Sequence, residues 1–341
     1  AQECEIIRQR YETFKPHFTS MQLLEKDQIA ELEPNVVKID GRDRPEELAA
    51  IAITDEYTAI NYGVLAQSFV EQAVSVPNKT VDLRLGQPVQ AIEPVGDAYR
   101  VTTAQGSMMA RFVVVSAGGH SLLFAHRMGI GLNYSCLPIA GNFYFTPEVL
   151  NGKVYTVQND KLPFAAIHGD PDVTMPGKTR FGPTALPLPL LERGNLKTII
   201  DYLEVLKPDI PVTKTLWDLF KVKDIRNYIF KNMAFEVPVV DRRLFLKDVH
   251  KIVPSLQLSD LEFADGVGGV RPQLIDRIEQ KLILGQAEID PGNGLRFNIT
   301  PSPGATTCLG NAEQDILRIQ AHLGCEFDRS WFEGKEAVAL A

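Results

Sequence analysis

Phe112-Val113-Val114-Val115-Ser116 is the stretch that most limits what this chain can become. A strand with one wet face alternates apolar and polar residues. An unbroken β-branched run instead suits a strand covered on both faces, as in a parallel sheet. Parallel strands need long crossovers, usually helical, so the run predicts an α/β arrangement. It stops at Ala117-Gly118-Gly119 and passes into a helical stretch from Ser121 to Met128. A glycine pair there lets backbone approach a ligand, and the N-terminus of the following helix attracts anions. A plain tight turn into a helix reads the same way.

The rest of the chain carries both periods. Residues 4–14 and 21–33 have helix-like spacing, and the second stretch ends at Glu33-Pro34, where proline stops a helix. Asn61 suits the N-cap of a helix from Tyr62 to Val76, in which Leu65, Phe69 and Ala73 recur every four residues. Val81–Leu85, Val89–Ile92 and Tyr99–Thr103 alternate or run β-branched around turns at Gly96-Asp97 and Gln105-Gly106, which predicts an antiparallel meander. Residues 134–186 read as mixed strands and loops, and 190–206 and 214–235 as helices. Strands at Leu282–Ala287 and Leu295–Thr300 precede a closing helix from about Ala305 to Leu323. The order predicts a mixed α/β (α+β) chain of two interleaved parts.

Composition removes several function classes. The chain has 341 residues, 45% apolar and 23% charged, which suits a globular protein with a sizeable core. A net charge of -8 argues against nucleic acid as the main partner, because phosphate binding draws on excess Lys and Arg. No apolar run approaches the roughly 18 residues that a membrane span needs. Cys4, Cys136, Cys308 and Cys325 are far apart and form no C-x-x-C pair. They read as reduced thiols, not as a disulfide frame or a zinc site. The histidines show no metal-ligand spacing, so no metal is expected.

Four further stretches carry candidate chemistry. Asn298–Thr307 reads as a strand end, a Pro/Gly loop and a helix start. Free N–H groups near Gly304 to Thr307 would face partial negative charge on a bound ring or phosphate. In Asp265–Gln273 a glycine-lined Arg271 can grip a carboxylate in a bidentate fork, or it can be an ordinary surface arginine. In Ala166-Ile167-His168-Gly169-Asp170 an extended backbone points His168 and Asp170 to one face. A carboxylate beside an imidazole favours its charged form and can fix its tautomer, which would suit a base removing a hydroxyl proton. A solvated histidine near a turn is the plain alternative. Residues 207–251 hold ten Lys or Arg against six Asp or Glu, interleaved with apolar residues. That pattern suits an anionic membrane surface, or a core with a basic edge.

These motifs together resemble a known family. "RFVVVSAGGHS" and "GVGGVRPQ…ITPSPGATT" resemble the second half of FAD-dependent oxidoreductases of the amino-acid-oxidase-like group. The middle motifs, "LPIAGNFYF", "GKVYTVQNDKLPFAAIHGDPD", "GKTRFGPTALPLPLLER" and "IRNYIFKNMAFEVP", resemble malate:quinone oxidoreductase of the shorter bacterial type. The likeness covers nearly all of the chain. It implies part of a glutathione-reductase-like FAD-binding domain over 58–125 and 262–341, interleaved with a β-rich substrate domain over 1–57 and 126–261. It implies non-covalent FAD, hydride transfer from C2 of malate to the flavin, oxaloacetate as product and electron delivery to membrane quinone. It also implies a cytoplasmic enzyme, peripheral on the inner face of the membrane, and the basic, apolar-studded pattern offers 214–235 as the contact.

Carried over motif by motif, the resemblance makes His168 the base and Asp170 its orienter. Arg180 and Arg271 would hold the two carboxylates, with Gln273 also in the substrate site. Val89 would touch the adenine end through its backbone. Ala117 and Gly118 would line the diphosphate, and Gly269, Pro303, Gly304, Ala305 and Thr306 would approach the flavin ring. A sister flavoenzyme acting on another 2-hydroxy acid, such as 2-hydroxyglutarate, or on an amino acid stays open, as does a non-catalytic scaffold. Two convergent arginines suit a dicarboxylate, and one suits an amino acid. The family opens with a strand–G-x-G-x-x-G–helix unit, and residues 1–341 contain none. The expectation is that this unit precedes Ala1 and that residues 1–341 alone do not retain FAD.

Overall fold

The computed structural model describes residues 2–54, 56, 59–157, 166–184, 186–223, 226, 227, 230, 240–283, 285, 287–300 and 304–327. The chain opens with helix α1 (Gln2–Phe14), strand β1 (Gln22–Glu25) and helix α2 (Lys26–Leu32). The helix-like stretch 21–33 therefore splits in two. Gln22 to Glu25 pair antiparallel with β2 (Ala49–Ala52) and bury Leu24. A reciprocal capping box between Glu25 and Gln28 starts the helix only after the strand.

Helix α3 (Tyr62–Ser75) begins at Asn61, whose side chain accepts the Val64 N–H at 3.2 Å, as the sequence predicts. Strands β3 (Val89–Val95), β4 (Ala98–Thr103) and β5 (Gly106–Ala110) form the meander. Val81–Leu85 is not part of it. Among the described residues its alternation finds no partner strand, and Val81, Leu83 and Leu85 stay exposed.

Strand β6 (Val113–Val115) leads into helix α4 (Gly119–Arg127), followed by β7 (Tyr134–Ala140) and β8 (Tyr144–Pro147). Next come β9 (Val154–Tyr155), β10 (His168–Pro171) and β11 (Lys178–Gly182). Helix α5 (Thr198–Leu206) starts later than expected, because the Thr198 hydroxyl accepts the Leu191 and Glu192 N–H groups and holds 191–197 as a loop. Helix α6 (Ile210–Lys221) starts earlier, where the Asp209 carboxylate accepts the Val212 N–H. Helix α7 (Val240–Val249) is not foreseen by the pattern. Strands β12 (Glu262–Phe263), β13 (Val270–Asp276), β14 (Lys281–Ile283), β15 (Ala287–Gly292) and β16 (Leu295–Ile299) precede helix α8 (Cys308–Leu323). The single strand expected over 282–287 is two strands, with Gly285 at φ +92° between them.

The chain forms two compact units. The first comprises Ala1–Thr80, Ala140–Pro187 and Asp218–Gly269; the second comprises Val81–Ile139, Leu188–Trp217 and Val270–Ala341. In the first unit, strands lie in the order β9-β10-β11-β8-β12, all antiparallel. One face of this sheet sends Tyr144 and Phe181 into a core with Leu150, Phe245, Val249 and Ile252. Gly169 belongs to that face because a Cβ there would sit 2.5 Å from Phe181 and 2.6 Å from Leu150.

In the second unit, β15, β16 and β6 form a sheet in which β6 and β16 run parallel, Val113 opposite Leu295 and Val115 opposite Phe297. The parallel pairing expected of the 112–116 run is present. Val113 and Val114 are only half-buried, while Val115 joins Leu122, Leu123, Ile289, Leu295 and Phe297 in the core. Strands β7, β13 and β14 lie side by side.

Candidate active site

The first unit's sheet has a second face, and register decides what stands on it. Tyr155 pairs with His168, Asp170 with Arg180, and Arg180 with Phe145. Side chains alternate along a strand, so these residues share the face away from the Tyr144–Phe181 core. Lys153, two residues before Tyr155, falls on the same face and is half-buried, with its Nζ 5.3 Å from the Tyr155 ring centre.

His168 is 8% exposed. Its Nδ1 lies 3.2 Å from the Ala166 carbonyl oxygen. A carbonyl only accepts, so Nδ1 carries the proton and Nε2 presents a lone pair. The Tyr155 ring lies 4.4 Å away, tilted by 35°, and the Phe143 ring stands edge-on at 6.3 Å. Burial pushes the imidazole from its ordinary 6.5 down to about 4. The Ala166 carbonyl and Asp170 oppose that shift, while Lys153 and Arg180 add to it. The base candidate is thus neutral at physiological pH. This reverses the expectation that the nearby carboxylate would favour the charged form, because desolvation outweighs it.

Asp170 does not orient His168. Its Oδ1 is 4.0 Å from Nε2, beyond hydrogen-bond distance, and the Ala166 carbonyl fixes the tautomer instead. The other oxygen, Oδ2, accepts a hydrogen bond from Arg180 Nη2 at 2.9 Å. Arg180 Nη1 also lies 3.3 Å from Asp172 Oδ2, and the guanidinium stacks 4.9 Å from the Phe143 ring centre. Burial acts against the Asp172 carboxylate, yet hydrogen bonds from Thr174 and the Arg180 charge hold it below its usual range. Arg180 therefore differs from a carboxylate clamp awaiting a ligand, since two buried aspartates already match it. Asp170 Oδ1 and Arg180 Nε have no hydrogen-bond partner among the described residues. Leaving such groups unmet costs about 1–3 kcal/mol each, which a bound polar molecule would relieve.

The second unit offers backbone instead of side chains. At the carboxyl end of β6, Gly118 takes φ +59° and ψ -128° and caps α4 with no side-chain bond. The Ser121 hydroxyl locks the turn, donating to the Val115 carbonyl at 3.1 Å and accepting the Ala117 N–H at 2.8 Å. At the carboxyl end of β16, Pro303 lies outside the described residues. Gly304, Ala305 and Thr306 form turns before α8, which also has no side-chain cap. A Cβ on Gly304 would meet the Thr300 carbonyl at 3.1 Å. The Asn298 amide donates to Asp315 at 2.7 Å and lies 3.4 Å from the Ser116 hydroxyl, tying the two strand ends together. Open parallel sheets bind ligands outside such carboxyl ends.

Val89 opens β3 and is exposed. Gly269 accepts the Gly141 N–H at 3.2 Å, and a Cβ there would touch nothing within 4 Å. Arg271 and Gln273 stand on strand β13 and not in a loop. Arg271 is half-buried. Gln273 is 6% exposed, and its Oε1 has no partner among the described residues. Among the described residues no group of His, Cys, Asp and Glu could hold a metal, and no helix is long and apolar enough to cross a membrane.

Within 214–235, Trp217, Val222 and Phe230 are exposed, as are Lys221 and Lys223. Phe220 is half-buried, its ring 5.7 Å from that of Phe230. Ile229 and 231–235 lie outside the described residues. Sequence reasoning missed Phe143, Lys153, Tyr155 and Asp172. A signal existed in Lys153-Val154-Tyr155, where alternation sends Val154 to the core and its neighbours to the polar face.

The sequence profile for Malate:quinone oxidoreductase (Mqo) matches residues 1–186. A Helicobacter pylori protein named malate:quinone oxidoreductase is 48% identical over 338 residues, covering 97% of this chain and 74% of its own length. A Campylobacter jejuni protein named probable malate:quinone oxidoreductase is 45% identical over 340 residues, covering 98% and 76%. Among solved structures, glycine oxidase from Bacillus cereus aligns over 96% of this chain and 72% of its own, at 14% identity and a TM-score of 0.58. NikD, an unusual amino acid oxidase, aligns over 95% and 71%, at 16% identity and a TM-score of 0.53. These two share the fold.

Proposed function

The chain belongs to the malate:quinone oxidoreductase family, and on that premise we propose that it oxidises malate to oxaloacetate with His168 as the base. One observation carries the reading. His168 is buried and neutral, with its Nε2 lone pair 4.0 Å from a carboxylate oxygen that has no partner among the described residues. A secondary alcohol placed there has one proton to give and two acceptors facing it. The proton passes to Nε2 as hydride leaves C2, and the C2–O bond becomes a carbonyl. Asp170 Oδ1 then faces the new imidazolium and stabilises it by charge.

FAD, when bound, supplies the hydride acceptor and passes the electrons on to quinone. The second unit fits it: two helix N-termini without side-chain caps follow glycine turns at the ends of a parallel strand pair. Ala117 and Gly118 would line the diphosphate, Gly304, Ala305 and Thr306 the ring, with Val89 at the adenine end. We assign cofactor binding to this unit and substrate chemistry to the first. Relative to the boundaries read from sequence, 58–80 and 262–269 then go with the substrate part and 126–139 and 188–217 with the cofactor part. Arg271 and Gln273, read from sequence as substrate residues, stand on β13 in the second unit and are kept as candidates for binding a carboxylate. Because quinone dissolves in lipid, we place the protein peripherally on the cytoplasmic face of the membrane, with the exposed apolar and basic residues of 214–235 as the contact.

His168→Ala in the full-length enzyme tests the reading. It is expected to lower kcat by about two to four powers of ten, the usual size of a general-base contribution, while the flavin absorbance stays in place. Unchanged turnover would remove His168 from this role.

A further inference from the structure

We infer that Lys153 binds a substrate carboxylate beside His168 and thereby sets the strength of the base. The inference rests on the malate reading above. Register supplies the geometry: Val154 pairs with Gly169 and Tyr155 with His168, and Lys153 immediately precedes that strand, so extending the register by one residue carries it toward Asp170. Its stem is half-buried and its ammonium is held over the Tyr155 ring. That ring also packs on His168, so the two functional groups share one aromatic wall.

The charges on this face single out Lys153. Arg180 is matched by Asp170 and Asp172. His168 is neutral. Among the described residues no carboxylate lies within ion-pair distance of Lys153. Among the described residues an anionic substrate approaching this face therefore meets two buried aspartates, their arginine and an ammonium with no carboxylate partner. The carboxylate goes to the ammonium, at a partly dry site where the pair is stronger than in water.

The same placement couples binding to catalysis. Among the described residues three charged groups act on His168: Lys153 from just before the edge strand, Asp170 from its own strand and Arg180 from β11, with Asp172 beyond Arg180. Lys153 acts on the imidazole more strongly than Asp170 does, and it holds the basicity down. A carboxylate seated on Lys153 cancels that charge, so the base strengthens only when substrate is present. General-base efficiency rises as the base approaches the working pH.

The test compares Lys153→Gln, Lys153→Arg and the wild type in the full-length holoenzyme. Malate oxidation is followed against pH, and malonate serves as an unreactive dicarboxylate whose binding is read from the flavin spectrum. Lys153→Gln is expected to raise the malate KM and the malonate Kd at least about tenfold, a 1.4 kcal/mol effect, with a smaller change in kcat. Lys153→Arg is expected to recover most of the binding. The acid limb of kcat/KM is expected to move to higher pH in Lys153→Gln, because a positive charge facing His168 is gone. KM and Kd at wild-type values, with malate turned over, overturn the inference. Lost binding that arginine fails to restore points to a structural role and overturns it too. A wild type inert toward malate overturns the functional reading beneath it.

Discussion

On the first unit's sheet the proposed site is built of side chains: an imidazole, an ammonium, a guanidinium and two carboxylates arranged along paired strands. At the strand ends of the second unit the proposed cofactor site is built of backbone, in glycine turns and helix starts without side-chain caps. The two are vulnerable in different ways. A side-chain site depends on burial and on matched charge, so it fails when one partner is removed. A backbone site tolerates changes in composition and fails when a turn loses its shape. Substitutions on the sheet face should therefore move malate kinetics or stability with FAD retained, and substitutions at the strand ends should release FAD.

The largest stability effect is expected at Asp170. Its carboxylate is 2% exposed and bonded to Arg180. Asp170→Ala leaves a guanidinium without its closest partner, and breaking a buried pair this way costs about 3–5 kcal/mol. Chemical denaturation of the variant measures it, and a loss under about 1 kcal/mol would show that Asp172 alone suffices for Arg180. Next is His168 itself. Between about pH 4 and 6.5 the unfolded chain binds a proton that the native imidazole refuses. Stability from this group is complete above 6.5 and is lost as pH falls from 6.5 toward 4, by roughly 3 kcal/mol at most. His168→Gln should flatten that slope in melting curves taken across the window; an unchanged slope would mean that the group is not buried as described.

How much of this could be read from the residues depends on range. The parallel strand at 113–115, its glycine turn and the Asn61 cap are local, and each follows from neighbours in sequence. The placement of His168 and Asp170 on one face is local as well. The partners of Asp170 are not. Arg180 reaches it across a strand pair ten residues away, and Ala166 takes the tautomer-fixing bond that a carboxylate was expected to make. Burial of His168 depends on Tyr155 and Phe143, which register and not spacing brings to the ring. The same limit explains 81–85, where a good alternating pattern meets no partner strand among the described residues, and β1, where pairing with 49–52 overrides helical spacing. Arg271 reads as a loop residue from its glycines, yet pairing continues through Val270 and makes it a strand residue.

Ser121→Ala probes the backbone site. The hydroxyl serves a buried carbonyl and an amide at once, and leaving both unmet costs about 1–3 kcal/mol. The Gly118 turn should loosen, so FAD is expected to dissociate more readily in a desalting or fluorescence assay, while the malate KM of the FAD-saturated enzyme holds. The reverse pattern, malate KM raised with FAD retention intact, would erase the distinction between the two sites.

The smallest effect is expected at the basic stretch that closes and follows α6, which belongs to neither proposed site. Basic residues near an anionic surface contribute about 1 kcal/mol each, and salt screens them. The two exposed lysines there are not equivalent. Lys221 is already paired with Asp218 at 2.9 Å, so part of its charge is answered within the helix. Lys223→Glu should therefore weaken binding to anionic vesicles more than Lys221→Glu does, and raised salt should narrow the gap between each variant and the wild type. The exposed Trp217 and Phe230 would keep a salt-resistant remainder, because apolar insertion is not screened. Cosedimentation with vesicles of graded anionic lipid measures all three terms. Vesicle binding that ignores both lysines and salt would remove this segment from the membrane contact.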